Sequence, residues 1–303
     1  MKLEYQNFRL LLNFPSLTRT NIYPIFIIRS VLGKEFRRMC CIFKERQCHE
    51  CTIKNTCPYS IVFETPIKED NLILVGRNKG SHPFILSLIS TDIEYSDHIE
   101  LLLTLIGRGI DYLPYIYYSL KRAGEHGIFK QRIPFSIKGP FIDNELLLDD
   151  ENKLNLEFTR RLWELGKSKK NFTNSTTIEF LSPCRLKKGG KYISNLSFQD
   201  LMEALYHRAQ ILCTLFGECS KIWPIPSFAK RNHIIIEQKL TWVDLPYYSA
   251  RQGRSIKMGG FMGTLSINGE IDPLERSLLE FGELFHIGKN AGFGLGKIRI
   301  IND

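Results

Sequence analysis

The sequence predicts an α+β fold of two tandem ferredoxin-like (RRM-like) domains, on three observations. The chain has 303 residues, enough for two cores of about 150 residues each. A β-α-β-β-α-β order of hydrophobic patterns fills the first half and recurs in the second, which is the element order of a ferredoxin-like unit. Between the two copies, Gly139-Pro140, the acids Asp149-Asp150-Glu151 and the lysines from Lys167 to Lys170 have the composition of a boundary. The expected domains are 1–140 and 176–303, with 141–175 as linker or insertion. The repeat is one of element order, not of sequence identity.

In the first copy, residues 3–14 alternate in part and read as a strand. Pro24 follows a Thr/Asn-rich turn and opens a helix expected to reach Met39, since proline suits the first helical position. Its apolar positions Phe26, Ile27, Val31 and Phe36 leave Arg29, Lys34, Arg37 and Arg38 toward water. A cysteine-rich insertion, 40–58, comes next. Apolar runs at 59–64 and 83–90 read as strands, 99–123 as a second helix despite Gly107, Gly109 and Pro114, and 128–137 as the closing strand. In the second copy, strands are expected at 176–186, 233–243, 258–268 and 293–301. Helices are expected at 197–217 and 274–287, the latter with Asp272-Pro273 as cap and first turn.

A net charge of +9 favours a polyanionic partner, although acidic residues are too plentiful for ribosome-like basicity. No run of about 18 apolar residues occurs, so no membrane span is expected. The charged start Met1-Lys-Leu-Glu-Tyr-Gln argues against a secretory signal and for a cytoplasmic protein. Eight cysteines in such a chain are not expected to form a disulfide framework. Cys184, Cys213 and Cys219 read as small buried side chains.

The other five cysteines share one window, Cys41-x6-Cys48-x2-Cys51-x5-Cys57-Pro58, with Cys40 able to replace Cys41. Thiolates favour soft ions, so this spacing points to a metal site on Cys41, Cys48, Cys51 and Cys57. Structural zinc is preferred, because a closed four-thiolate site folds a loop that lacks apolar content of its own. An iron–sulfur cluster is the alternative, as Cys-Pro also ends some cluster-binding runs. A redox disulfide or free thiols remain as the third reading.

Near the end of the chain, His286-Ile-Gly288-Lys289 leads into Gly292-Phe293-Gly294-Leu-Gly296-Lys297. A phosphate-binding P-loop would need glycine where Ala291 sits and Ser or Thr where Ile298 sits. A dinucleotide fingerprint would need to open a helix and be followed by an acid about 20 residues on. What remains is a basic glycine loop with one aromatic, suited to a sugar–phosphate backbone. A second basic glycine turn is read at Arg251, Arg254 and Lys257 before Gly259-Gly260-Phe261-Met262-Gly263, with Tyr247 and Tyr248 available for stacking or for a domain interface. Metal-free RNA cleavage needs a base for a 2′-hydroxyl, a donor for the leaving 5′-oxygen and cations at the phosphorane. Of seven histidines, His286 stands beside the glycine loop and Lys289, although a helix-end histidine commonly caps carbonyls. His82 and His233 are weaker candidates.

These segments together resemble the CRISPR-associated precursor-RNA processing endoribonucleases of the RAMP superfamily. Phe180-Leu-Ser-Pro183-Cys-Arg185-Leu-Lys187, Tyr248-Ser-Ala-Arg251-Gln with Met258-Gly-Gly-Phe-Met-Gly263, and the glycine-rich ending carry the likeness in the second half. In the first half, the helix with Gly33 and Arg37, the loop ending Cys57-Pro58-Tyr59, and His82-Pro83-Phe84 match a cysteine-bearing branch. The resemblance implies two ferredoxin-like domains that bind the CRISPR repeat of a precursor transcript. It implies one metal-free cut per repeat by 2′-oxygen attack, leaving a 2′,3′-cyclic phosphate and a 5′-hydroxyl. Many members place a histidine in or near the first helix, and this chain has none before His49. That leaves Tyr23, Lys34, Arg37 and His286 as catalytic candidates. Arg38, Arg251, Arg254, Lys257, Lys289, Gly292, Phe293, Gly294, Gly296 and Lys297 would bind RNA, in a basic cleft between domains. The rival reading is a non-catalytic RAMP-type RNA-binding subunit of a CRISPR effector complex, whose other subunits would then be partners. The sequence does not fix the oligomeric state.

Overall fold

The computed structural model describes residues 1–302 except 20–22, 44–46, 68–72, 75–78, 91–94, 171, 194, 220–223, 229–233 and 250–252. The chain divides into two compact units, Glu4–Arg161 and Leu162–Asp303, and the second also includes Met1–Leu3. The division falls inside 141–175, the stretch read from sequence as a linker.

In the first unit, β1 (Lys2–Arg19) buries Phe8, Leu10, Leu12 and Phe14 at two-residue spacing, which sets one face of the strand against a core. Helix α1 (Pro24–Cys40) has proline in its first turn and adds Ile25, Ile28, Leu32 and Phe36 to the same core. Then come β2 (Phe84–Leu88), β3 (Tyr95–Ile106), α2 (Leu113–His126), β4 (Ser136–Ile142) and the short β5 (Glu145–Leu146). The sheet runs β2-β3-β1-β4-β5, with β1 antiparallel to both β3 and β4.

Three expectations for this unit are corrected. Residues 60–64 form one wide helical turn, not a strand. The helix expected over 99–123 is divided: Ile99, Leu101, Leu103 and Leu105 are buried at strand spacing in β3, and Gly107, at φ +51°, turns the chain before α2 begins. The strand expected at 128–137 starts only at Ser136, because Ile128 and Ile133 pair with each other across a tight turn.

The second unit follows the sequence pattern more closely. It holds β6 (Arg161–Glu164, starting at the division), β7 (Ser175–Cys184), the hairpin of β8 (Lys187–Lys188) and β9 (Lys191–Tyr192), and α3 (Phe198–Phe216). These are followed by β10 (Ile234–Ser249), β11 (Arg254–Asn268), α4 (Pro273–Phe285) and β12 (Ile298–Asn302). Its sheet runs β10-β11-β7-β12, all antiparallel. Both helices open on reciprocal capping boxes, Ser197 with Asp200 and Asp272 with Glu275. Trp163 of β6 donates to the Ser277 carbonyl at 2.9 Å and packs on Phe281, so part of the expected linker is anchored to α4. Each unit therefore has the ferredoxin-like β-α-β-β-α-β order, with its first long strand in the interior of the sheet. No helix among the described residues is long and apolar enough to cross a membrane.

Candidate nucleic-acid interface

The glycine loop between α4 and β12 is folded onto the end of β7. Ser182 Oγ donates to the Gly294 carbonyl at 2.8 Å and accepts from the Lys297 amide at 2.9 Å. The Gly296 amide donates to Pro183 O, and the Lys289 amide to Arg185 O. At Gly296, φ is +68° and a Cβ would stand 1.8 Å from Ile287 O, so only glycine fits. The strand expected from 293 therefore starts at Ile298, after a helical turn at Ala291–Phe293.

Within this loop Lys289 is exposed, Lys297 is half-buried, and Gly294 and Gly296 are buried. Burial and then Arg299 lower the pKa of Lys297. Gly292 and Phe293 are partly open, and Phe293 meets Tyr247 edge-on at 5.6 Å. His286 lies at the C-terminal cap of α4 at φ +59°, only 2% exposed, with Nδ1 3.2 Å from Leu295 O. Burial, followed by Lys297 and Arg208, lowers its pKa to about 3. The Arg208 guanidinium donates to both Phe285 O and His286 O. As placed, His286 is a buried residue that organises the loop, and its imidazole is turned to Leu295 O rather than to solvent.

The second glycine turn is not a turn. Gly259, Gly260 and Gly263 lie inside β11, where a Cβ at Gly260 would stand 2.6 Å from Cys184 O of β7. These glycines permit close strand approach instead. Arg254 and Lys257 are exposed, with Lys257 Nζ 3.5 Å from Asp244 Oδ2, and Tyr248 is exposed. Arg251 and His233 lie outside the described residues. Sequence reasoning missed a neighbouring patch. The exposed rings of Tyr192 and Trp242 stand 6.2 Å apart, and the Arg185 guanidinium and Lys187 ammonium lie over Tyr192 at 4.9 and 4.7 Å. The signal was the Lys-Lys-Gly-Gly-Lys-Tyr run at 187–192, whose paired glycines mark a hairpin.

In the first unit, the candidates on α1 separate. Tyr23 stands at its N-cap, packed on Phe26, and burial raises its pKa to about 12. Lys34 and Arg38 are exposed four residues apart on one face. Arg37 instead turns toward the cysteines, with its guanidinium 5.9 Å over the Tyr59 ring and beside Cys41.

Cys41, Cys48, Cys51 and Cys57 line one small cavity of about 20 Å³ with Ile42, Phe43, Ile53, Lys54, Tyr59 and Ser60. All are free thiols, and among the described residues no three His, Cys, Asp or Glu side chains are grouped for holding a metal. Burial, then Cys57 and Cys41, raises Cys40 to about 11. Burial also raises Cys48, with Arg37 opposing it. Such thiols keep their protons until a cation displaces them.

Comparison with known proteins bears on both halves. Residues 3–153 match a family model described as an N-terminal domain. Residues 178–298 match the family CRISPR-associated endoribonuclease Cas6. The second half is thus similar in sequence to that family. Over 295 residues the chain is 23% identical to an uncharacterized protein of Archaeoglobus fulgidus, covering 92% of this chain and 94% of that one. Thermus thermophilus Cas6 superposes with a TM-score of 0.52 at 14% identity, covering 99% of each chain. A Cas6 product complex gives 0.52 at 13% identity, over 98% of this chain and 99% of that one. A partial Cas6-RT-Cas1–Cas2 complex gives 0.57 at 12% identity, with 99% of this chain matching 46% of that one. The whole chain thus has the Cas6 fold, with the Cas6 sequence signature in its second half.

Proposed function

We propose that the chain is an endoribonuclease that cuts the repeat of a precursor CRISPR RNA without a metal ion. The 2′-oxygen would attack the adjacent phosphate, leaving a 2′,3′-cyclic phosphate and a 5′-hydroxyl. The observation that carries this reading is the Cas6 match over 178–298, which contains the glycine loop with Lys289 and Lys297 at its ends. Exposed cations at Lys34, Arg38, Arg254 and Lys257 supply the charge that a phosphate backbone requires. Structural zinc on Cys41, Cys48, Cys51 and Cys57 belongs to the same proposal. Four thiols that line one small cavity are a soft donor set that would have to draw together around an ion, and Arg37 beside them would offset the charge of a four-thiolate site. About one zinc per chain surviving dialysis, lost in Cys48→Ser, would support it. A zinc-free chain with an unchanged melting temperature would remove it.

A non-catalytic RNA-binding subunit of a CRISPR effector is the second reading. It is favoured by the burial of His286 and by the Tyr23 phenol at about 12, since neither is a ready base. The deciding experiment incubates the protein in EDTA with repeat RNA from its own genome, carrying a 2′-deoxy sugar at each position in turn. One cut, blocked by one deoxy position, is the expected result. Tight binding without a cut would establish the second reading.

A further inference from the structure

Glu35 faces inward from α1 and is 3% exposed, yet its Oε2 has no hydrogen-bond partner. Three cationic or titratable side chains surround this carboxylate. Arg38 of the same helix donates to Oε1 at 2.7 Å. From α2, Arg122 Nε stands 3.8 Å and His126 Nδ1 3.5 Å from Oε2. The heads of Arg38, Arg122 and His126 are each about half exposed, so the cluster is a buried carboxyl group under two solvent-facing guanidiniums and an imidazole.

One guanidinium is enough to neutralise a buried carboxylate. Two guanidiniums leave the group with a net charge of about +1 even when the imidazole is neutral. A surplus of positive charge facing water is an anion site, and arginine is the side chain best shaped for phosphate. The helical period extends it. Tyr118, Arg122 and His126 recur at four-residue spacing on α2, as do Lys34 and Arg38 on α1, and Tyr118 is exposed. A stacking ring, a phosphate clamp and an imidazole therefore lie along one stripe.

We infer that His126 is the general base of the cleavage proposed above, oriented by Glu35 and flanked by Arg38 and Arg122 at the scissile phosphate. His126 Nδ1 stands 3.5 Å from Glu35 Oε2 without a hydrogen bond between them, and an Nδ1–H drawn to that carboxylate would leave Nε2 as the proton acceptor. The 2′-hydroxyl proton passes to Nε2 and the 2′-oxygen–phosphorus bond forms. The phosphorus–5′-oxygen bond breaks, and the departing 5′-oxygen takes a proton from water. The arginines face the charge of the phosphorane. Glu35 is a positioning residue, because it acts through the imidazole.

This inference rests on the endoribonuclease reading, and the experiment separates the two. Single-turnover cleavage and equilibrium binding of repeat RNA are compared for the wild-type chain, His126→Ala and Glu35→Gln. His126→Ala is expected to slow cleavage at least about 100-fold with binding changed less than about threefold, and added imidazole to restore part of the rate. Glu35→Gln is expected to slow cleavage less, with its rate insensitive to imidazole. His126 is a half-exposed residue in the last turn of α2, so its loss leaves the core untouched. A His126→Ala rate within threefold of wild type would overturn the assignment while leaving the endoribonuclease reading intact. A wild-type chain that binds the repeat and never cuts it would overturn both.

Discussion

A single side chain can hold a loop together by being the wrong kind of residue for its place. His286 sits at φ +59°, where glycine is the usual choice, and its carbonyl accepts from a half-buried arginine, Arg208 of α3. Its imidazole is neutral in the folded chain, with a pKa near 3 against an ordinary 6.5. As pH falls the unfolded chain takes up this proton first, so the stability that His286 contributes is complete above about 6.5 and lost between about 6.5 and about 3. Denaturant titrations across that window should therefore fall less steeply with acidification in His286→Gln, by about one bound proton. An identical slope would mean that the imidazole already charges in the native state. The loop and its glycines were legible in the sequence, but the role of His286 was not. Adjacency to Lys289 in sequence says nothing about which way a cap residue points, and the hydrogen bonds to Leu295 and Arg208 join positions far apart along the chain.

At the scale of the element, periodicity alone placed four cations of α1 on one basic face, among them the site candidates Lys34, Arg37 and Arg38. The structure assigns them two jobs. Lys34 and Arg38 face water, whereas Arg37 lies over Tyr59 beside the thiol-lined cavity. RNA affinity measured against salt should show it. Lys34→Ala and Arg38→Ala should each reduce the log–log slope by roughly 0.7–0.9, the signature of one lost phosphate contact. Arg37→Ala should leave the slope unaltered, and a loss equal to the others would place it with the cations proposed to meet RNA. The elements themselves were read with uneven success for a physical reason. The capping boxes and Pro-led helix starts are local, so α3 and α4 were predicted within a residue or two. β3 ends in the run Leu101-Leu-Leu-Thr-Leu-Ile106, buried throughout from Leu103 on, and such an apolar run has little contrast between faces by which to tell strand from helix.

Across the whole molecule, the first residues of the chain belong to the last unit. Lys2 and Glu218 exchange backbone hydrogen bonds at 3.2 and 3.0 Å, and the Leu165 amide donates to Met1 O at 3.0 Å. Gly217 makes room for this pairing, since a Cβ there would stand 2.3 Å from Lys2 O. Removal of residues 1–3 should therefore weaken hydrogen-exchange protection near 165 and 218 in the second unit and leave α1 and α2 unaffected. Protection unchanged at those sites would show that the pairing contributes nothing. No domain boundary drawn from composition would anticipate such a contact, because it depends on an isolated bridge between residues 2 and 218, far apart along the chain.

Legible in the chain alone were the element order of the second half, the starts of α1, α3 and α4, the glycine loop and the clustering of thiols and cations. Each of these is written in local spacing, and local spacing controls backbone propensity, capping and turn chemistry. Tertiary structure alone decided which groups face each other. It buried His286, turned Arg37 to the cysteines, and drew Glu35, Arg122 and His126 together from two helices about ninety residues apart in sequence. Helix packing against a common sheet fixes such pairings, and no spacing along one strand or helix encodes them.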